Sequence, residues 1–478
     1  MREAALDVWR ALIGAEHVLA GPAAPAAAGG CTFAGAPAPE AVLLPGTDEE
    51  AAACLRAAHT RRIRVHPVST GRNWGYGSGC PPEAGAVVLR LARLDSVLDF
   101  DDERGLVRVQ PGVTFGRLAA FLRAHGGRWW PPSVGAGPDV SVVGNVLQRG
   151  LGQGPYRELG SHVEALTGLC PDGTAFGAAT GRPGPDPAGL LFQGGPAVVT
   201  SLTLRLCAAP ALRQRVTFRV PDAAALPEVI EGAREMLRHG GGLAADVLDR
   251  ARVASQRPPG ATGEELPELL TGAWTGGAEL WAPDEDALSS LRRRALAWAA
   301  AHGDRWHMTP PRTGAPAPED GDADPYAGLA CAYRPRPHAW HTARSAGTAP
   351  DPDRDGCGVL WYAPALPMRG ADVARVVGAV DRICAEEGQE AGITLRLGPR
   401  ELYCVTGLFW DRDEAGADAR GARCHARLVE EGARIGVFPY RPVLGGWPEE
   451  AVDTGTRQVL ARVRAALDPH AVLGRPPG

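Results

Sequence analysis

Between residues 213 and 436 a β-prone run is followed by a long helical pattern four times. "RVTFRV" precedes 222–238, "AELWAP" precedes 284–302, "GVLWYAP" precedes 370–387 and "LYCVTGLFW" precedes 413–434. A chain that repeats this unit is held to a sheet with helices covering one face. The region before it, about 38 to 207, has shorter runs broken by helices and glycine turns. There "AVLL" precedes a helix starting at Thr47–Asp48, and "RIRVHPV" and "AVVLRL" read as strands. "SVLDFD" and "GLVRVQPG" read as a hairpin, "TFGRLAAFLRAHG" as a helix, "SVVGNVLQRGLGQGPY" as a glycine-rich loop and "AVVTSLTLRL" as a closing strand. A chain of 478 residues with two such textures predicts two domains. The Pro-, Gly- and Asp-rich stretch 308–325 reads as an exposed insert. "TRQVLARVRAALDPHAVLG" closes the chain as a helix and a turn.

Several classes are excluded early. The net charge of −5 gives no bulk basic field for nucleic acid. The amino-terminal stretch "MREAALDVWRALIGAEHVLAG" has an apolar stripe broken by Arg2, Glu3, Asp7 and Arg10. It reads as an amphipathic helix and not as a signal peptide. No run of about 18 apolar residues offers a membrane span. The ten cysteines have no paired spacing, so no zinc site or disulfide framework is expected. A cytoplasmic protein with reduced thiols and no metal is the expectation.

The chemistry concentrates in "STGRNWGYGSG" (69–79), directly after "RIRVHPV". Glycines there can turn main-chain N–H groups into one concave anion nest; a plain glycine-rich turn is the alternative. The chain contains no lysine, so this is not a GxxxxGK[ST] phosphate loop, and it lacks the GxGxxG spacing.

"PVSTGRNWGYGSG" resembles the pyrophosphate loop of the FAD-linked oxidases typified by vanillyl alcohol oxidase and p-cresol methylhydroxylase. The resemblance continues in order through "RVQPGVTFGRLAAFLRAHG", "SVVGNVLQRGLGQGPY", "GVLWYAPALPMRG", "GPRELYCVTGLFWDRDE", "FPYRPV" and "ALDPHAVLG", most of residues 40–475. It implies an α+β, two-domain FAD-binding fold. Residues 1–210, with 437–478 returning to them, would form the FAD-binding domain; 211–436 would form an α+β cap over the substrate. Ser69, Thr70, Gly71, Arg72 and Asn73, with Trp74 and Gly75, would bind the pyrophosphate. Gly144, Asn145 and Gly150 would lie along the flavin. Val198 and Val199 would meet the adenine side, while also serving as strand core.

The same resemblance assigns a phenol-binding trio to Tyr76, Tyr440 and Arg441; an interdomain hydrogen bond is the bland alternative for the last pair. Physically the trio makes sense. A phenol has a pKa near 10, so holding it as phenolate at pH 7 takes about 1.4 kcal/mol for each pH unit between the two. Two hydroxyls and a guanidinium in a dry pocket can supply that. Hydride loss from the benzylic carbon then gives a p-quinone methide.

The chain also departs from the family pattern. Where relatives carry an acid near the flavin, this sequence has Ala136 or Thr394. Asp139 is a candidate substitute base, or else a turn cap. Gln153 replaces a tyrosine, and Tyr403–Cys404 replaces a histidine pair. Positions of the covalent flavin tether hold Val359, Asp351 or Asn73, with His338, His341 and Cys357 nearby, so non-covalent FAD is expected. His66 reads as a structural histidine. These departures favour an unusual phenolic or acidic substrate of specialised metabolism, reoxidised by O₂ or a protein acceptor. Oxidation of a non-phenolic alcohol, hydroxy acid or polyketide-like compound is an alternative, and a flavin-binding scaffold or electron-transfer subunit with a decayed site is another. Relatives often form homodimers.

Overall fold

The computed structural model describes residues 2–28, 30–77, 79–179, 183, 186–255, 268–314, 352, 356–444 and 446–474. Asp351, His338, His341 and most of the expected insert lie outside these residues.

The chain opens with helix α1 (Arg2–Ile13), whose Trp9 is buried and donates its indole N–H to Cys54 O at 3.2 Å. A four-stranded sheet follows, made of β1 (Val18–Ala20), β2 (Ala41–Leu43), β3 (Val65–Val68) and β4 (Val87–Arg90), in the order β1-β2-β4-β3. Helix α2 (Asp48–Arg61) crosses between β2 and β3, which both run parallel to β4. The Thr47 hydroxyl caps this helix by accepting from Glu50 N at 3.1 Å. The chain's far end returns here: Val65 N donates to Val472 O at 2.6 Å.

An antiparallel five-stranded sheet comes next. It is formed by β5 (Val97–Asp101), β6 (Leu106–Val109), β7 (Val163–Leu169), β8 (Ala175–Ala179) and β9 (Val198–Arg205), in the order β5-β6-β9-β7-β8. Between β6 and β7 lie α3 (Phe115–Ala124) and α4 (Val142–Leu147). The latter corrects the sequence reading, which took 141–156 for a loop. Ser141 Oγ accepts from Gly144 N at 2.9 Å and donates to Pro111 O at 2.6 Å, so a six-residue helix forms before the glycines take over.

The large sheet is antiparallel throughout. It uses β10 (Leu212–Val220), β11 (Leu243–Asp249), β12 (Trp274–Ala282), β13 (Arg305–Met308), β14 (Cys357–Tyr362), β15 (Glu390–Leu397) and β16 (Glu401–Asp411). Their order is β13-β10-β12-β11-β15-β16-β14. One face packs on α5 (Leu226–Leu237), α7 (Glu285–His302), α8 (Gly370–Glu387) and α9 (Ala417–Arg434), around Phe218, Leu280, Trp298 and Leu395. A short helix, α6 (Arg250–Ser255), follows β11. On the other face Cys357, Val359, Trp361 and Phe409 join the core that contains Trp74, Val107 and Tyr156. The start of the expected exposed insert belongs to this sheet: Met308 lies in β13, and Arg312–Thr313 pairs with Leu212–Arg213. Helix α10 (Thr454–Leu467) ends the fold. Among the described residues no helix is long and apolar enough to cross a membrane, and no cluster of metal-binding side chains occurs.

Candidate active site

The loop after β3 is shaped by glycines at left-handed φ: Gly71 at 76°, Gly75 at 76° and Gly77 at 119°. Gly75 also permits a close approach, since a Cβ there would overlap the Trp361 indole of β14. Hydrogen bonds tie loop and strand together, in part through Thr32. Gly75 N donates to Thr32 Oγ1 at 2.9 Å, and Thr32 Oγ1 donates to Val359 O at 3.0 Å. Val359 N donates to Thr32 O at 2.9 Å, and Trp361 Nε1 donates to Trp74 O at 3.0 Å. On the other side Ser141 N donates to Thr70 Oγ1 at 3.2 Å, which brings α4 against the loop. Gly144 is required there because a Cβ would overlap Ser69 Oγ.

Loop, α4, β9 and the carboxy-terminal segment enclose a cavity of about 1710 Å³, its open mouth included. Ser69, Thr70, Gly71, Arg72, Asn73, Trp74, Tyr76, Gly144, Asn145, Val198, Val199 and Arg441 all line it. Gly75 and Gly150 stand behind the wall: Gly75 against Trp361, and Gly150 N donating to Asn145 O at 2.9 Å. His66 lines the cavity too, and burial pushes its imidazole down to about 4, so it is neutral at pH 7.

The residues suit a flavin dinucleotide. The cavity wall includes hydroxyls, main-chain turns and Arg72, and also Asn145, whose Oδ1 is buried and without a hydrogen-bond partner among the described residues.

Arg441 is buried at 7% exposure, with its guanidinium carbon 4.3 Å from the Tyr76 ring centroid. Nη2 donates to Asn73 Oδ1 at 2.6 Å, whereas Nε is buried without a partner among the described residues. Tyr440 is fixed through its backbone, which donates to Ala363 O at 3.0 Å and accepts from Gln193 Nε2 at 2.7 Å. Its ring meets Tyr403 edge-on at 5.1 Å. Burial, followed by the hydrogen bond to Glu158, raises the Tyr403 phenol above its ordinary range. Gln193 escaped the sequence reading; it sits at φ 56°, a conformation no residue type announces except glycine.

Asp139 is a different matter. Its carboxylate is 2.9 Å from Arg72 Nε, and it does not line the cavity. The Asp139 carboxylate is thus held by Arg72 of the glycine loop. Ala136 does line the cavity. Thr394 accepts from Nε of the buried Arg252 at 3.1 Å, so a cation stands beside the other acid position. Val359 and Cys357 are buried strand residues. Cys54, Cys170, Cys207, Cys384, Cys404 and Cys424 are thiols outside any disulfide.

Comparisons with known proteins bear on the family and the fold. Residues 39–178 match the family model described as an FAD binding domain. The chain is 31% identical to 1'-carboxy-chondrochloren decarboxylase of Chondromyces crocatus, over 98% of this chain and 96% of that protein. It is 23% identical to the flavoprotein subunit of 4-cresol dehydrogenase [hydroxylating] of Pseudomonas putida, covering 91% and 87%. The fold superposes on p-cresol methylhydroxylase with substrate bound at a TM-score of 0.83 and 20% identity, covering 100% and 96%.

Proposed function

The chain belongs to the FAD-linked oxidases typified by vanillyl alcohol oxidase and p-cresol methylhydroxylase, and from that premise we propose that it oxidises a 4-substituted phenol at the benzylic carbon and couples this to loss of a carboxylate from the neighbouring carbon. The carrying observation is a contrast. Arg441 is buried against Tyr76 and next to Tyr440, while the two positions for an acid hold Ala136 and Thr394.

Tyr76, Tyr440 and Arg441 would hold the phenol as phenolate, with the buried Nε of Arg441 as the spare donor. Ser69 to Asn73 would hold the FAD pyrophosphate, Gly144 and Asn145 the flavin, and Val198 and Val199 the adenine side. When bound, FAD supplies the two-electron hydride acceptor. Hydride loss from the phenolate leaves a neutral p-quinone methide. The electron pair of the C–CO₂⁻ bond then becomes the side-chain double bond, and the ring regains its phenolate charge. Carbon dioxide leaves without its bonding electrons, and no side-chain proton has to be taken by a protein base. A site stripped of its acid suits this reaction better than hydroxylation, and a relative named as a decarboxylase supports it.

The test is anaerobic mixing of the FAD-loaded enzyme with 3-(4-hydroxyphenyl)propanoate. We expect bleaching of the flavin with equal amounts of 4-vinylphenol and CO₂. Bleaching only by non-phenolic alcohols or hydroxy acids would overturn the reading. The FAD is proposed to be non-covalent, since Val359 offers an apolar side chain and Asn73 a carboxamide at two tether positions. Acid precipitation should therefore leave the yellow colour in the supernatant; a yellow pellet contradicts it.

A further inference from the structure

Helices α8 and α9 pack on each other, α8 over β15 and α9 over β14 and β16. Ion pairs clamp the two together. Arg427 of α9 pairs with Glu387 at 2.8 Å and also with Glu386, Arg423 pairs with Glu387 at 3.4 Å, and Arg382 of α8 pairs with Glu431 at 3.3 Å. Between the same helices two buried thiols meet. Cys384, in the last turn of α8, and Cys424, in the middle of α9, have their sulfurs 3.7 Å apart.

Buried cysteines often serve only as small apolar core residues, and both of these do pack in the core under the helices. Contact sets the pair apart: Cys404, buried in the same core, meets Thr406 Oγ1 at 3.8 Å. A disulfide needs about 2.05 Å between sulfurs, so the two must close by about 1.7 Å, shared between two side chains. The ion pairs hold the helices in place meanwhile. The hydrogen bond from Cys384 also lowers the Cys424 thiol below its ordinary range, and the thiolate is the reactive form. Cys384 keeps 6% of its surface open, an approach for a molecule little larger than water.

We infer that Cys384 and Cys424 form a thiol pair that hydrogen peroxide converts to a disulfide, stapling α8 to α9. One sulfur, as thiolate, attacks a peroxide oxygen; the O–O bond breaks, leaving a sulfenic acid and hydroxide. The second sulfur attacks the first and expels another hydroxide, and the two thiol protons turn both hydroxides into water. The sulfurs give up two electrons and the peroxide oxygens take them. Neither cysteine lines the large cavity, so the staple acts on the cap helices and not on the FAD wall. Because it spans 40 residues of chain, it restricts the unfolded state and stabilises the fold.

The test treats the FAD-loaded protein with hydrogen peroxide, removes the excess with catalase, blocks remaining thiols with N-ethylmaleimide during unfolding and digests with trypsin. Cleavage after arginine puts Cys384 in 383–396 and Cys424 in 424–427, each the sole cysteine of its peptide. The two peptides should appear joined, two hydrogens lighter than their sum, and part again with dithiothreitol. The Tm of the treated protein should rise by about 2–6 °C and return with the reductant. Cys384→Ala and Cys424→Ala, each compared with itself before and after peroxide, should show neither the joined peptide nor the rise. If a variant does not fold, the wild-type peptides decide alone. Both cysteines recovered as maleimide adducts, or either one joined to a third cysteine, overturns the inference. So does a linkage that leaves the Tm unchanged or lowers it.

Discussion

Arg441 carries three relationships at once: the face of Tyr76, the side-chain oxygen of Asn73, and a buried nitrogen with no partner among the described residues. Lysine cannot reproduce this, because a guanidinium is planar and its donors form a fixed fork. Arg441→Ala is expected to lower the anaerobic rate of flavin reduction by a 4-alkylphenol about 10²–10³-fold, the usual cost of removing one oxyanion donor. Arg441→Lys should recover little of it. The FAD content, read from absorbance, should stay near the wild type; an unchanged reduction rate would sink the role given to this side chain. Tyr76, Tyr440 and Arg441 were named from motifs far apart along the chain, and the structure sets the Arg441 guanidinium over the Tyr76 ring. Gln193, which holds the Tyr440 carbonyl, was not named, since it adopts a left-handed φ of 56° that its residue type does not announce. Proximity in sequence to a flavin segment also says nothing about Arg72, which holds the Asp139 carboxylate from a different loop.

At the level of elements, the four strand–helix units were readable because their helices are long and their inner strands apolar. Strands β11 and β15 were missed. Asp246 and Arg396 fit the alternation of a half-buried strand, but Ala244, Ala245, Ala391 and Gly392 dilute the β-branched and aromatic content that marks one. The same sheet makes a pH prediction through α9. There the ring of His425 is hydrogen-bonded at 3.2 Å to Trp361 O, and burial pushes its imidazole down to about 4. The unfolded chain takes up that proton near 6.5, whereas the folded protein resists it until about 4. Stability is therefore present above about pH 6.5 and is lost as pH falls toward 4. His425→Gln keeps an N–H donor but cannot titrate, so its Tm should fall less than that of the wild type between pH 7 and pH 4.5. Parallel falls, followed by scanning calorimetry, would count against it. His66 shifts in the same direction, so the variant's slope should be reduced and not abolished.

Across the whole molecule, the large cavity takes its wall from both ends of the chain: the loop at 69–77, β9, and Arg441, Arg464 and Leu473. A ligand seated there binds the folded state alone, and mass action adds about 2.7 kcal/mol at a ligand concentration of 100 Kd. FAD-stripped protein should accordingly show a Tm that climbs with added FAD, and climbs less with riboflavin, which lacks the pyrophosphate. A midpoint indifferent to FAD would contradict this. The two-ended architecture came to the sequence reading from ordered motifs, because no local pattern tells that Val472 will meet Val65. One detail bears on how the seam between loop and sheet can move. Gly75 N is bound to Thr32, Thr32 is bound twice to Val359 of β14, and Trp361 of the same strand is bound to Trp74. Parting the glycine loop from β14 would break the bonds of Gly75 and Trp74 each time, a cost that any hinge placed here would have to meet.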